Sequence, residues 1–193
     1  MLKSRDISRL RSDVAANCRA FIQRCADAGL PVLVVETVRD LEYQASLYAQ
    51  GRTKPGKIVT NQRTPSFHWD KVGLAFDICK NVKGHEYDDA DFFRRCGAIG
   101  KEMGFSWGGD WTSLPDRPHF QWDDGGRYTA AMVRKRNLPR MMPLYKEVSK
   151  AMTKDEAKRI LKAKAGLSDA TITYLDSYRY GDDLIVKLAE AMK

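Results

Sequence analysis

The first hydrophobic pattern in the chain has the period of a helix. Between residues 4 and 28 the apolar side chains recur every three or four positions: Ile7, Leu10, Val14, Cys18, Phe21, Ile22 and Cys25. This spacing predicts an amphipathic helix, and Gly29 follows it at the usual place for a C-terminal cap. Residues 31–37 (PVLVVET) are nearly all apolar and β-branched, which predicts a buried strand.

Short helical and short strand patterns then follow one another. Apolar spacing predicts helices over about residues 41–50 and 90–103. Residues 73–79 (GLAFDIC) alternate as a half-buried strand does. Residues 105–107 and 119–122 predict two further short strands. Because strands and helices do not alternate strictly, the pattern favours an α+β fold over a doubly wound sheet.

The pattern changes near residue 140, where two prolines interrupt a stretch with no clear period. We therefore predict one domain over residues 1–140, a linker over 141–149 and a small helical domain over 150–193. In the last of these, Thr153 and Glu156 have the spacing of a capping box at the start of a helix. Ser168 and Asp182 mark the starts of two more helices. Such a short segment is marginal for an independent core.

Composition and charge exclude some classes of protein. The 193 residues are 43% hydrophobic and 30% charged, as in an ordinary globular protein. The longest apolar run, residues 30–35, is too short to span a bilayer, and the charged N-terminus lacks the apolar core of a signal peptide. The net charge of +8 favours polyanionic surroundings. The basic residues are scattered, so we expect no nucleic-acid partner.

The cysteines give no sign of a metal site or a disulfide. Cys18, Cys25, Cys79 and Cys96 form no C-x-x-C pair, and synthesis in the cytoplasm argues against disulfides. Buried thiols are the expectation.

Two of the three histidines lie near aspartates. His68 precedes Asp77, which falls on a predicted strand, and Asp116 precedes His119 by three residues; His85, in a loop, is a weaker candidate ligand. A catalytic zinc takes three protein ligands and leaves a position for water, and a further carboxylate must accept the proton of that water. Two histidines and two aspartates meet these needs.

Nucleophilic catalysis fits less well. Ser66 lies near His68 but lacks the G-x-S-x-G turn, and no cysteine is close to a histidine in the sequence. The chain also has neither a P-loop nor a G-x-G-x-x-G motif.

Five segments together resemble one known family. They are residues 37–48 (TVRDLEYQASLY), 51–61 (GRTKPGKIVTN), 66–68 (SFH), 73–77 (GLAFD) and 116–120 (DRPHF). They resemble the VanY/VanX-like D-Ala-D-Ala carboxypeptidase and L-alanyl-D-glutamate endopeptidase family of zinc peptidases. The resemblance covers roughly residues 1–140 and implies a hedgehog/D,D-peptidase-type α+β fold.

The resemblance also implies roles for single residues. It implies that His68, Asp77 and His119 bind Zn²⁺ and that Asp116 is the general base. Arg39 would stabilise the oxyanion or orient the substrate carbonyl, since a guanidinium is a fixed fork of charged donors.

The same resemblance leaves three side chains with supporting or uncertain roles. Gln44 would support the site or face the substrate, and Ser66 would hold the ligand loop by a hydrogen bond. The family usually has two residues between this histidine and the glycine that follows, whereas this chain has four, residues 69–72. The longer loop is expected to bulge, and it makes Asp70 a rival ligand.

The function implied is zinc-dependent cleavage of the peptidoglycan stem peptide. The preferred bond is L-alanyl-D-glutamate, as in an endolysin released through a holin-type route. The alternatives are a D,D-carboxypeptidase that trims the D-Ala-D-Ala end and a non-catalytic wall-binding protein. Expected partners are peptidoglycan and anionic wall polymers. The protein itself is expected to have no membrane span and to be a monomer. Residues 150–193 would be either a wall-targeting module or a structural extension.

Overall fold

A computed structural model describes residues 1–64, 66–145, 153–177 and 181–192, the last from residue 184 for side chains. The chain divides into two compact units, Met1–Tyr145 and Lys146–Lys193. No described helix is both long and apolar enough to cross a membrane.

The first unit contains a small antiparallel sheet. Its four strands are β1 (Val32–Glu36), β2 (Ala75–Lys80), β3 (Ser106–Trp107) and β4 (His119–Gln121). They lie in the order β1-β2-β4-β3, and each neighbouring pair is antiparallel. The two central strands, β2 and β4, therefore carry the residues with the most fixed positions.

Four α-helices and two 3₁₀ turns surround this sheet: α1 (Ser12–Asp27), α2 (Leu41–Ala49), α3 (Ala90–Glu102), α4 (Ala130–Arg134), and the turns Ile7–Arg9 and Gly108–Asp110. Mixed helices and a small antiparallel sheet confirm the predicted α+β class.

The core of this unit is aromatic. Phe76 and Phe120 face each other in register on β2 and β4, and Phe21 of α1 packs against both, at ring-centroid distances of 5.6 and 4.9 Å. Helix α3 approaches closely through Gly100, where a Cβ would lie 2.4 Å from the Phe120 ring. This packing fixes one face of the sheet and leaves the other face for the site.

Two sequence predictions need correction. The first α-helix begins at Ser12 and not near residue 4, because Ser4 donates its N–H to the Val38 carbonyl oxygen (2.9 Å) and keeps the N-terminal segment extended. Strand β1 lies at the edge of the sheet, with Leu33 37% exposed, so it is not fully buried. The four cysteines are free and buried, as predicted.

The predicted linker begins within the first unit. The N–H of Met142 bonds to the Asp13 carboxylate, and the N–H of Tyr145 donates to Asn17 Oδ1 at 2.6 Å. The unit therefore extends beyond residue 140. The rest of that segment, residues 146–149, lies outside the described residues.

The described part of the second unit contains three helices, α5 (Lys154–Ala165), α6 (Asp169–Asp176) and α7 (Gly181–Glu190). The predicted capping box of Thr153 and Glu156 is present, and Ser168 caps α6. Its buried apolar side chains are Ala157, Leu161, Ile172, Ile185 and Ala189.

Candidate metal centre

Strand register brings two of the predicted ligands together. Asp77 of β2 lies directly opposite His119 of β4. Side chains alternate along a strand, so their neighbours Phe76, Ile78 and Phe120 point into the core while Asp77 and His119 share the other face. The alternation GLAFDIC thus places a carboxylate on the open face of an otherwise apolar strand.

The third predicted ligand, His68, comes from the lengthened loop, whose extra residues do not displace it. Residues 69–72 form a turn, and Leu74 N–H donates to the Phe67 carbonyl oxygen (2.9 Å) across the base of that turn. The carbonyl oxygen of His68 accepts from Arg39 N–H at 2.8 Å. Asp70, the rival candidate, pairs with Lys71 at 3.2 Å and is not part of the cluster.

The three ligand atoms form a nearly equilateral triangle. His68 Nε2 lies 3.1 Å from Asp77 Oδ1 and 3.0 Å from His119 Nδ1, and the latter two atoms are 3.0 Å apart. A tetrahedral zinc with ligands at about 2.0–2.2 Å holds its ligand atoms roughly 3.4 Å apart. The triangle is therefore close to the size that zinc requires.

The hydrogen bonds of the two imidazoles explain why these atoms converge. His68 Nδ1 donates to the Thr37 carbonyl oxygen (2.8 Å), and His119 Nε2 donates to Gln121 Oε1 (3.0 Å). Each neutral ring therefore presents its unprotonated nitrogen to the triangle. Two imidazole lone pairs and a carboxylate oxygen repel one another unless a cation or proton lies between them, and this donor set is one that zinc prefers.

The pKa shifts describe the same charge arrangement. Burial by itself would raise the pKa of Asp77, but His68 and His119 outweigh it and hold that pKa well below its ordinary value. Burial would lower the pKa of His119, but the hydrogen bond and charge of Asp77, helped by Asp116, raise it. Without metal, Asp77 therefore favours a proton on His119.

Asp116 lies beside the triangle with a free carboxylate. A cavity of about 560 Å³ is lined by the three predicted ligands, Asp116 and Arg39, among others. Gly108 lets the Asp116 loop close, since a Cβ there would lie 2.5 Å from the Asp116 carbonyl oxygen. No described residue donates a hydrogen bond to the Asp116 carboxylate. Burial raises its pKa, although neighbouring cations offset part of that rise.

Arg39 also lines the cavity and is fixed by two side chains. Its Nε donates to Gln44 Oε1 (2.7 Å), and Nη1 bonds to Glu36. Nη2 bonds to no described residue, and Arg39 lines the cavity. Gln44 is buried behind Arg39 and is absent from the cavity lining, whereas Ser66 lines the cavity and receives the His68 N–H at 3.3 Å.

Comparisons with known proteins place this chain in a family. The chain is 35% identical over 126 residues to the peptidoglycan L-alanyl-D-glutamate endopeptidase CwlK of Bacillus subtilis (strain 168), and the match covers 59% of this chain and 74% of that protein. The family profile described as D-alanyl-D-alanine carboxypeptidase matches residues 60–122. The chain belongs to the VanY/VanX-like family of metallopeptidases.

The chain is also similar to a phage peptidase and to one solved structure. The chain is 30% identical over 125 residues to the L-alanyl-D-glutamate peptidase of Listeria phage A118, covering 63% of this chain but 41% of that protein. The crystal structure of the Serratia marcescens L-Ala D-Glu endopeptidase ChiX superposes with a TM-score of 0.48 at 21% identity, covering 60% of this chain and 82% of that one.

The VanY/VanX-like motifs did not reveal several residues of the site. Gln121 lies two positions after His119 on the same strand, so period-2 alternation could have placed it on the same face. Glu36 is an acidic residue in an otherwise apolar strand, which could have marked it. Trp111 lies with its ring 5.0 Å from that of His119, and no local pattern indicates this contact. His85 pairs with Asp88 on the surface, outside the metal cluster.

Proposed function

We propose that this metallopeptidase is a zinc-dependent peptidoglycan hydrolase that cleaves the stem peptide. The observation that carries the proposal is the convergence of three lone pairs, from His68, Asp77 and His119, beside the free carboxylate of Asp116. Such an arrangement can hold a metal and move a proton in the same cavity.

His68, Asp77 and His119 would hold the zinc. When bound, zinc supplies a Lewis acid that lowers the pKa of a water molecule and polarises a carbonyl group. Asp116 accepts the proton of the attacking water and delivers it to the leaving amine. Burial raises the pKa of Asp116 above its ordinary value, so its carboxylate is a stronger base than that of an exposed aspartate.

Arg39 would act on the substrate carbonyl. Glu36 and Gln44 occupy Nη1 and Nε, which leaves Nη2 to donate to the oxygen that gains negative charge. Gln44 is itself fixed by the Gln62 carbonyl oxygen at 2.5 Å, and Ser66 Oγ contacts its Oε1 at 3.3 Å. In this proposal Gln44 and Ser66 support Arg39 and the His68 loop.

For the bond cleaved, we propose L-alanyl-D-glutamate. The two curated relatives described above carry that activity in their names, and one of them matches over 74% of its length. The second candidate is D,D-carboxypeptidase activity, which the description of the matching family profile favours.

Mass spectrometry of digested peptidoglycan distinguishes these functions. The zinc-loaded protein is incubated with purified walls, and the soluble fragments are analysed. A new N-terminal D-glutamate or isoglutamine is the expected product. Released D-alanine would instead identify the carboxypeptidase, and fragments of neither kind would leave a wall-binding protein without activity.

Metal analysis tests the zinc proposal separately. The purified protein should hold about one zinc per chain, as expected for a single three-ligand site. A protein that takes up no zinc after dialysis against the ion would contradict the proposal.

We further propose that the protein acts at the cell wall in the manner of an endolysin, as a monomer released through a holin-type route. The similarity to a phage peptidase supports this setting. The net charge of +8 suits anionic wall polymers, and the second unit is a proposed wall-targeting module. Sedimentation with purified walls, before and after removal of their anionic polymers, tests whether the protein binds these polymers. If it does, less protein should sediment with the walls after removal.

A further inference from the structure

The two imidazole ligands are oriented by different kinds of acceptor. His68 Nδ1 faces a backbone carbonyl oxygen, that of Thr37, which can only accept a hydrogen bond. His119 Nε2 faces the side-chain amide of Gln121. An amide has a donor end and an acceptor end, so Gln121 alone does not determine which nitrogen of His119 carries the proton.

Asp123 determines the orientation of that amide. Gln121 Nε2 donates to Asp123 Oδ2 at 2.7 Å, and a carboxylate can only accept. The donor end of Gln121 therefore faces Asp123 and its oxygen faces His119. Both side chains are buried, Gln121 with 8% and Asp123 with 4% of its surface exposed.

The remaining oxygen of Asp123 is fixed by two donors. Ser106 Oγ donates to Oδ1 at 2.6 Å, and Gly126 N–H donates to the same atom at 2.8 Å. Ser106 lies opposite Gln121 in the register of β3 and β4, so the same sheet positions both. Gly126 has a φ of +81°, a conformation that glycine adopts without strain and that belongs to the turn after β4.

We infer that Gln121 and Asp123 are positioning residues that keep the Nδ1 lone pair of His119 directed at the metal. The inference rests on the proposed zinc site. The hydrogen bonds run in one direction, from His119 Nε2–H to Gln121 and from the Gln121 amide to Asp123. With Nε2 protonated, Nδ1 of the neutral ring is unprotonated and free to bind a cation.

Asp123→Asn should reverse this direction with almost no change in shape. Ser106 and Gly126 both donate, so the new amide turns its oxygen towards them and its NH₂ towards Gln121. Gln121 then turns its own NH₂ towards His119, which drives the proton from Nε2 to Nδ1. That proton occupies the position of the metal, and zinc affinity should fall by about 10- to 100-fold.

The double variant Gln121→Glu/Asp123→Asn should restore the direction. The NH₂ of the new asparagine donates to the new carboxylate at position 121, and that carboxylate accepts from His119 Nε2–H. Zinc affinity should return towards that of the parent protein. If the two residues served only to pack the site, no such recovery is expected, because each substitution would lower zinc affinity further.

The experiment measures zinc affinity of the full chain by competition with a chromophoric chelator. Asp124→Asn is the matched control, since Asp124 is the adjacent aspartate and pairs with Arg127 and Arg140 instead; its zinc affinity should match the parent. If the parent binds zinc and Asp123→Asn binds it equally tightly, the inference is overturned. If the parent binds no zinc, the metal proposal itself fails.

Nitrogen NMR of the metal-free parent gives a second test that needs no variant to fold. At a pH where the imidazole is neutral, His119 should carry its proton on Nε2. A proton on Nδ1 would overturn the inference, whatever the affinity measurements give.

Discussion

Two groups of side chains at the cavity, the metal end and the arginine end, are held in place by different means. At the metal end, formed by His68, Asp77 and His119, two proposed ligands face each other in a strand register set by backbone hydrogen bonds. At the arginine end, the guanidinium of Arg39 is held by the side chains of Glu36 and Gln44. Changes at the metal end should therefore remove the metal, whereas changes at the arginine end should misplace one donor and leave the metal bound.

Loss of a ligand should give the largest effect. Asp77→Asn replaces a charged ligand with a neutral amide, whose NH₂ can also point at the two histidine lone pairs. We expect zinc affinity and wall hydrolysis each to fall by more than about 100-fold, the upper range for residues that only support ligands. Metal content and turbidity loss of purified walls measure both.

The control for this variant is Asp88→Asn. Asp88 also accepts from a histidine, His85, at 2.7 Å, but both side chains are exposed and lie outside the metal cluster. It should leave zinc content and activity unchanged. An Asp77→Asn protein with the zinc content of the parent would contradict the ligand assignment.

Removal of the base should give the next largest effect and separate chemistry from metal binding. Asp116→Ala deletes the group that moves the proton, so the hydrolysis rate should fall by about 10²- to 10⁴-fold. Zinc content should stay at the parent level, because Asp116 is not part of the ligand triangle. Rates with a soluble stem peptide, together with zinc analysis, measure the two effects.

Asp110→Ala is the matched control in the same loop. Asp110 forms an exposed ion pair with Lys101 at 2.7 Å and does not line the cavity. The control should hydrolyse the peptide at the parent rate. If Asp116→Ala does so as well, the proposed mechanism is wrong.

The arginine end should respond with a smaller change that spares the metal. Arg39→Lys keeps a positive charge but loses the planar fork, so one ammonium cannot bond to Glu36, Gln44 and the substrate in the same geometry. We expect kcat to fall by about 10²- to 10³-fold with unchanged zinc affinity. Arg24→Lys, which alters the exposed pair with Glu102, is the control. Loss of zinc from Arg39→Lys would remove the distinction between the two ends.

The two ends also differ in how far the sequence predicts them. At the metal end, a chain with three histidines and a half-buried strand pattern leaves few candidates, and the family motifs select among them. Even the four-residue loop after His68 did not move this ligand, because Leu74 closes the loop on Phe67. Short strands and helix caps could also be predicted, because their sequence signals are local.

Contacts between distant backbone segments were not predictable in this way. The Thr37 carbonyl oxygen that holds His68 could not be identified, since every residue has such a group. The extended N-terminal segment depends on pairing between Ser4 and Val38, which overrides the helical pattern of the first residues. Glu36 and Gln121 are intermediate cases. A local sequence signal marked each residue, but only the folded structure shows that Glu36 contacts Arg39 and that Gln121 contacts His119.

The smallest expected effect is a pH dependence confined to the metal end. The raised pKa of His119 means that its contribution to the stability of the metal-free protein is complete below the ordinary histidine value of 6.5 and is lost as the pH rises through the folded-state pKa. The lowered pKa of Asp77 adds stability that is present above 3.8 and is lost only as the pH falls through its folded-state value. Zinc competes with the proton for His119. The stabilisation by zinc, relative to the metal-free protein, should therefore grow as the pH rises above 6.5.

Thermal unfolding with chelator or with zinc, from about pH 6 to about pH 9, measures this effect. The Tm of the metal-free protein should fall by a few degrees across that range relative to the zinc-loaded protein. His119→Gln should abolish the difference, since it removes the titrating ring, whereas Arg39→Lys should retain it because it leaves the triangle intact. If the gap between the two Tm values narrowed as the pH rose, the proton on His119 would not be competing with the metal. If Arg39→Lys abolished the gap, the two ends of the cavity would be coupled and not independent.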